Sequence, residues 1–148
     1  MFKMSRANID FDKKRNVIIY PCWQDEFGIS RTSNKYLKLE AGYDEKKLGE
    51  EILKCLDISQ KNETEDKEQQ PWKEAGKVKG WSAYRKKFEC VVLDVDDKGI
   101  CYIAKYRKLK DGSYGLEKGD EEKYSRRYTE TLTAEQLGHI VLEMLAIK

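Results

Sequence analysis

The sequence lacks any long apolar run, contains a single histidine and carries a formal charge of only +2. A membrane-spanning helix needs roughly 20 predominantly apolar residues, and no apolar run of signal-peptide length follows the basic residues at the start. The near balance of 29 basic and 27 acidic residues does not indicate a polyanionic partner. We therefore expect a cytoplasmic protein that does not associate with membranes.

The four cysteines, Cys22, Cys55, Cys90 and Cys101, are widely scattered. None of them stands at the spacing of about two to four residues that is typical of a zinc knuckle or a redox CxxC motif. Free cysteines are among the most buried residues, and reduced thiols are typical of the cytosol. We expect four free, mostly buried thiols and no structural zinc.

Candidate catalytic and metal-binding residues are few. His139 lies in a predicted helix, and no serine or cysteine stands near it in a recognisable nucleophile motif. Asp94 and Asp96 resemble the first ligands of a calcium loop, but Lys105 occupies the position where a bidentate glutamate is needed. The sequence predicts no catalytic centre, no metal site and no cofactor.

Several short segments have the composition of strands. Residues 17–20, 36–39 and 128–132 are apolar, β-branched or alternating, and the first of these strands is expected to end at Pro21. Residues 90–95 and 100–106 flank a tight turn of polar residues and glycine. This pattern predicts an antiparallel hairpin.

Apolar residues at helical spacing predict helices after Asp44 and after Thr133, which are both good capping residues. A shorter helix after Gly80 has an aromatic face that we expect to pack in the core. Residues 57–76 contain almost no apolar side chain. They predict a flexible polar connection.

The two long helices share the template LGxx[IV]LxxL, which begins at Leu48 and again 89 residues later at Leu137. A glycine inside a helix costs about 1 kcal/mol relative to alanine. Two glycines at the equivalent positions, Gly49 and Gly138, therefore indicate that each helix lets another backbone approach closely.

A second correspondence links residues 27–29 with residues 114–116, where glycine stands between an aromatic and an aliphatic residue at an offset of 87. Together the repeats predict an α/β protein of the α+β type. We expect residues 1–148 to form a single domain of two related strand-strand-helix halves, with a mainly antiparallel sheet packed by helices.

The predicted hairpin at 100–110 combines basic and aromatic side chains, a mixture that can pair phosphates and stack bases. A small RNA-binding module that uses this hairpin is therefore the alternative function. Nearby acids such as Asp111 and Glu117 would repel a nucleic-acid backbone. Nucleic acid is consequently not the partner we expect.

The order and spacing of these features resemble the CdiI-type immunity proteins of contact-dependent growth inhibition systems. The similar features are the LGxxILxxL helix, the polar connection, the aromatic segment from Gly80 to Tyr84, the following strand and turn, and the closing LGxxVLxxL helix. They span nearly the whole chain. The resemblance implies a bacterial, cytosolic, non-enzymatic protein that binds and neutralises the C-terminal toxin domain of a cognate effector, often a nuclease.

The resemblance supplies no list of partner contacts, because each toxin and immunity pair is specific. An inhibitor needs a preformed surface with aromatic anchors and local charge, and the segment 106–122 offers both. The predicted partner-binding residues are Tyr106, Arg107, Lys108, Tyr114, Glu117, Asp120, Glu121 and Glu122. All of them except Tyr106 are expected to be exposed.

Overall fold

A computed structural model describes residues 4–148, which form one antiparallel sheet of eight strands with five helices. The strands are β1 (Ser5–Phe11), β2 (Val17–Gln24), β3 (Ser30–Thr32), β4 (Leu37–Leu39), β5 (Glu89–Val95), β6 (Cys101–Lys108), β7 (Tyr114–Gly115) and β8 (Ser125–Tyr128). The helices are α1 (Glu45–Lys61), α2 (Pro71–Gly76), α3 (Trp81–Lys87), α4 (Glu121–Tyr124) and α5 (Ala134–Leu145). The predicted fold class is confirmed.

The sheet consists of two halves that meet at its central strands. β1 and β5 pair with each other, β2 lies outside β1, and β6 lies outside β5. β2 then pairs with both β3 and β4, as β6 pairs with both β7 and β8. Since α1 follows β4 and α5 follows β8, the prediction of two related halves is confirmed, with four strands in each half where the sequence indicated two.

The turns of the first hairpin in each half have the same hydrogen bonds. The carboxylate of Asp12 accepts backbone hydrogen bonds from the residues two and four positions later, and so does that of Asp96. Arg15 and Gly99, three positions after each aspartate, both have a positive φ, 71° and 81°. The true repeat in this part of the chain therefore has an offset of 84 residues.

The next pair of turns corrects a prediction from the sequence. Gly28 has a φ of 77° in the β2–β3 turn, and the equivalent residue in the β6–β7 turn is Gly112, with a φ of 94°. The predicted equivalence of Gly28 and Gly115 is wrong, because Gly115 lies within β7. The sequence pattern was misleading because the neighbours of Gly112 are polar. They therefore do not resemble Phe27 and Ile29, the neighbours of Gly28.

The second half contains five additional residues before its last strand. Ile18 of β2 pairs with Lys38 of β4, and the equivalent Tyr102 of β6 pairs with Arg127 of β8, so the offset changes from 84 to 89 within the halves. The additional residues fall between β7 and β8, in the segment that carries α4. This segment is the main departure from symmetry inside the repeated part of the chain.

Helices α1 and α5 approach each other through their glycines. A Cβ atom on Gly49 would lie 1.7 Å from the carbonyl oxygen of Ala134, and one on Gly138 would lie 1.9 Å from that of Glu45. Each glycine thus faces the first turn of the other helix. The predicted close backbone approach is confirmed.

The main core lies between this helix pair and one face of the sheet. It takes alternate residues of the central strands, such as Ile9 of β1 and Val91 of β5, together with Ile52 and Val141 from the two helices. All four side chains are fully buried. Because side chains alternate between the faces of a strand, the residues in between face the opposite side of the sheet.

Helices α2 and α3 pack on that opposite face through aromatic side chains. Tyr84 and Phe88 are 1% and 3% exposed, and they pack with Ile18 and Tyr20 of β2. The rings of Tyr84 and Phe88 stack on each other with centroids 4.5 Å apart. The predicted packing role of the aromatic helix face is confirmed.

The predicted strands need correction at three places. β1 was not predicted, and β2 continues through Pro21 to Gln24. Proline has no backbone N–H, yet Pro21 costs the sheet no hydrogen bond to β1. Its carbonyl points away from β1 and accepts a hydrogen bond from Ser33 N. In a strand the nitrogen of a residue points to the same side as its carbonyl, so the ring nitrogen of Pro21 also points away from β1. The predicted strand at 128–132 lies instead at Ser125–Tyr128, since the chain must leave the sheet before the cap of α5 at Thr133.

The connection between the halves contains more regular structure than the sequence indicated. α1 continues to Lys61 and α2 extends from Pro71 to Gly76, so within the predicted range 57–76 only residues 62–70 lack a helix or strand. Within them, Glu65 accepts a hydrogen bond from the Ser33 hydroxyl at 2.7 Å. The flexibility of this connection stays a prediction.

We predict that Gly49→Ala destabilises the protein by about 3 kcal/mol or more, because its methyl group would overlap a main-chain oxygen that only a shift of a whole helix can move. Urea denaturation measures the change in the free energy of unfolding. The matched control is Gly80→Ala, where nothing lies within 4 Å of the added Cβ. Equal midpoints for the two variants would contradict the proposed helix contact.

Candidate functional site

A cavity of about 580 Å³ lies on the side of the sheet opposite α1 and α5, and it is open to solvent on one side. Strands β1, β2, β3, β5, β6 and β7 supply one part of its lining, and α2, α3 and the β6–β7 turn supply the rest. The side chains that matter most for its chemistry are Asn8, Asp10, Tyr20, Trp72, Trp81, Tyr84, Cys90, Tyr106, Asp111 and Tyr114.

Three hydrogen bonds hold α3 against the β6–β7 turn. Trp81 Nε1 donates to the carbonyl of Gly112 at 2.6 Å, and the guanidinium of Arg85 donates to the carbonyl of Leu109. Tyr114 OH donates to the carbonyl of Phe88 at 2.8 Å. Side chains from both elements are thereby fixed at the cavity.

A chain of hydrogen bonds links two tyrosines to a carboxylate beneath the cavity. Tyr84 OH donates to Asp10 Oδ2 at 2.5 Å, and the hydroxyls of Tyr84 and Tyr20 lie 2.8 Å apart. Because Tyr84 uses its only hydrogen on Asp10, Tyr20 must donate to Tyr84. The chain is thus directed toward the carboxylate.

The other carboxylate oxygen, Asp10 Oδ1, is buried and has no hydrogen-bond partner among the described residues. Asp10 is only 5% exposed. Burial raises its pKa to about 6, against which hydrogen bonds from Tyr84 and from the Cys90 thiol act. A carboxylate of this kind is stabilised by any donor or cation that comes close.

The thiol of Cys90 and the phenol groups beneath the cavity are held in their neutral forms. Burial raises the pKa of the Cys90 thiol well above its usual value, and it also raises the pKa of Tyr20 and Tyr84. A thiol must ionise to be a strong nucleophile. The chemistry of this cavity is therefore better suited to binding than to nucleophilic attack.

An ion pair lies beside the cavity on the same face of the sheet. Arg6 Nε is 3.0 Å from Asp94 Oδ1, across the pairing of β1 with β5. Arg6 also donates to Tyr106 OH at 2.8 Å. These contacts fix the orientation of Tyr106, which is one of the predicted partner-binding residues.

The structure divides the predicted partner-binding residues between the cavity and a neighbouring surface. Tyr106 and Tyr114 line the cavity, whereas Arg107, Lys108, Glu117, Glu121 and Glu122 are exposed. Two expectations of exposure are wrong. Tyr114 packs among the aromatic side chains of α2 and α3, and Asp120 is partly buried by its own contacts.

Asp120 organises the surface around α4. Its carboxylate accepts from the guanidinium of Arg107 at 3.3 Å and from Glu117 N at 2.8 Å. Glu121 and Glu122 follow in the first turn of α4. The structure thus brings Arg107, Glu117 and Asp120 together, and their binding to a partner stays a prediction.

Most of the residues that line the cavity were not predicted as site residues from the sequence. Asp10 and Asn8 belong to β1, the unpredicted strand, and Tyr20 and Cys90 were assigned only to buried strands. One signal was available, since the apolar residues Ala7, Ile9 and Phe11 alternate with polar ones. That pattern identifies a strand whose second face carries Asn8 and Asp10.

His139 lies far from the cavity, on the helical side of the molecule. Its Nδ1 is 2.5 Å from Glu45 Oε2, so it links α5 to the first turn of α1. In residues 4–148, no cluster of three or more histidine, cysteine or acidic side chains is placed to hold a metal ion.

Three of the basic side chains of the predicted RNA-binding hairpin make contacts within the protein. Lys105 Nζ donates to the carbonyls of Leu145 and Ile147 near the end of the chain. Lys108 lies 3.5 Å from Glu89, and Arg107 pairs with Asp120. These contacts do not favour the RNA-binding alternative, because paired cations are less available to phosphates.

Comparisons give no matching protein-family model and no matching curated protein. The fold is similar to that of a protein of unknown function from Neisseria meningitidis, with a TM-score of 0.71 and 16% identity over 97% of this chain and 94% of that chain. It is also similar to a chain of the CdiA-CT/CdiI toxin and immunity complex from Yersinia pseudotuberculosis, with a TM-score of 0.62 and 11% identity over 97% of both chains. At these identities the likeness shows a common fold.

Two further findings concern the cysteines and the helices. All four cysteines are free and buried, as predicted. Among residues 4–148, the structure contains no helix with the length and apolar character needed to cross a bilayer.

We predict that the stability of the protein falls as pH rises through the range in which Asp10 ionises. The pKa of Asp10 is about 6 in the folded chain, against an ordinary value of 3.8 that applies to the unfolded chain. Between these two pH values the native state binds more protons than the unfolded state, so its stability falls as the pH rises and Asp10 loses its proton. Relative to Asp10→Asn, the unfolding free energy of the wild type should fall by roughly 2 kcal/mol from about pH 4 to about pH 7.

Urea denaturation across this pH range measures the difference. Glu135→Gln serves as the control, because it removes the same charge from an exposed position on α5. A constant difference between wild type and Asp10→Asn would contradict the assignment of a raised pKa to Asp10.

Proposed function

We propose that this chain is an immunity protein that binds and neutralises the C-terminal toxin domain of a contact-dependent growth inhibition effector. The observation that carries the proposal is the fold shared with a chain of a CdiA-CT/CdiI toxin and immunity complex over 97% of both chains. The resemblance of the sequence to CdiI-type proteins supports it separately. The resemblance to this family implies that the toxin domain is often a nuclease.

The construction of the molecule suits inhibition by binding. Main-chain contacts between α1 and α5 fix the two halves, and hydrogen bonds from α3 fix the β6–β7 turn. A preformed surface loses little entropy on association. Such an inhibitor acts by occupying its target in a one-to-one complex, without a reaction of its own.

We place the toxin-binding surface on the β6–β7 hairpin and α4, which together contain the predicted partner-binding residues. The five residues that distinguish the second half from the first lie in this segment. Glu121 and Glu122 are exposed at the start of α4, beside the paired Arg107 and Asp120. This surface combines acidic groups with the aromatic edges of Tyr106 and Tyr114.

The proposal predicts that co-expression with the toxin domain encoded beside its gene protects cells from growth arrest and yields a stable one-to-one complex. Growth curves and gel filtration of the two purified proteins measure these outcomes. The control is a toxin domain from an unrelated system, which the protein should not neutralise. Undiminished killing by the neighbouring toxin, with no complex formed, would refute the function.

The location of the surface has its own test. We expect the double change Glu121→Lys and Glu122→Lys to weaken toxin binding at least about tenfold, mainly through slower association, because it reverses local charge at the interface. The control reverses the exposed acids Glu50 and Glu135 on the helical side. If only the control variant loses affinity, the toxin binds elsewhere while the function stands.

A further inference from the structure

The cavity on the outer face of the sheet has an unusual lining for this protein. Six aromatic residues line it, namely Tyr20, Trp72, Trp81, Tyr84, Tyr106 and Tyr114, together with the two acids Asp10 and Asp111. Among residues 4–148, no lysine or arginine is part of the lining, although Arg6 donates to Tyr106 OH from beside the cavity and the charge of Arg85 acts on Asp111. The cavity therefore combines aromatic surface with negative charge.

The buried carboxylate of Asp10 lacks a positively charged partner. Its Oδ1 atom has no hydrogen bond among the described residues. Arg6 lies four positions earlier in β1, which corresponds to about 13 Å along a strand, and it already pairs with Asp94. Oδ1 itself is covered by protein atoms, so the charge of Asp10 acts on a group in the cavity through space and not by direct contact with that oxygen.

The two indoles belong to one aromatic cluster at the cavity. Trp72 and Trp81 pack edge to face at an interplanar angle of 73°, with centroids 5.1 Å apart, and Trp81 also stacks on Tyr84. Both indoles are only partly buried, so part of each ring stays accessible from the cavity. Aromatic rings attract cations through their negative faces, and tryptophan does so best.

We propose that this cavity binds a guanidinium or ammonium group, with the cation against the aromatic rings and its charge balanced by Asp10. The combination of aromatic walls, a buried carboxylate with no basic partner and a lining without basic side chains carries the proposal. It does not depend on the toxin-binding function. If that function holds, an arginine or lysine side chain of the toxin is the expected source of the cation, and otherwise the source is a small free cation.

The experiment uses the purified full chain and three probes. N-acetylarginine amide represents an arginine within a protein, propylguanidinium represents a free cation, and N-acetylcitrulline amide is the neutral counterpart of the first. Calorimetry gives the affinities. NMR of the indole N–H groups locates the site, because Trp72 and Trp81 line the cavity whereas Trp23 does not.

We expect both guanidinium probes to bind and to shift the signals of Trp72 and Trp81 but not that of Trp23. Tighter binding of N-acetylarginine amide than of propylguanidinium would identify a site for a protein side chain, and the reverse order would identify a site for a free cation. The neutral citrulline compound should not bind. Asp10→Asn should weaken binding at least about tenfold, whereas Glu135→Gln should leave it unchanged.

A second measurement covers the case in which Asp10→Asn does not fold. Binding to the wild type should weaken as pH falls below about 6, where Asp10 takes up a proton. Equal binding of the arginine and citrulline compounds, no binding of either cation, or an affinity independent of Asp10 and of pH would overturn the proposal. None of these results bears on whether the toxin is neutralised.

Discussion

The contact between the backbones of α1 and α5 determines how the rest of the molecule is arranged. Gly49 and Gly138 bring two helices close enough for both to cover the same face of the sheet. The polar residues at alternate positions of β1, such as Asn8 and Asp10, consequently face the other side. There they meet the aromatic side chains of α2 and α3. A close contact on one face thus leaves the opposite face available for polar groups and a cavity.

The repeated and unrepeated parts of the chain have different roles. Strands and long helices occur in equivalent pairs, down to the turns at Asp12 and Asp96. The unrepeated parts are the connection with α2 and α3 and the segment with α4. The first of them lines the cavity and the second contacts Arg107. Both features to which we assign binding therefore combine such additions with strands of the symmetric framework.

The sequence predicted the framework better than the site, for physical reasons. Helical periodicity and the glycines identified α1 and α5, because each of these patterns has a single structural explanation. The mixed residues of β1 were missed, because a strand that buries polar side chains does not look apolar. The cavity depends on contacts between residues distant in sequence, such as Asp10 and Tyr84, 74 positions apart. Local patterns contain no information about such pairs.

The four buried cysteines have an experimental consequence. Cys22, Cys55, Cys90 and Cys101 lie in β2, α1, β5 and β6, so each half contains two buried free thiols in different elements. A buried thiol reacts with an alkylating reagent only after its element opens. The rates at which the four sites are alkylated would therefore report how often each element opens. The unmodified protein already contains the probes needed to compare the motions of its two halves.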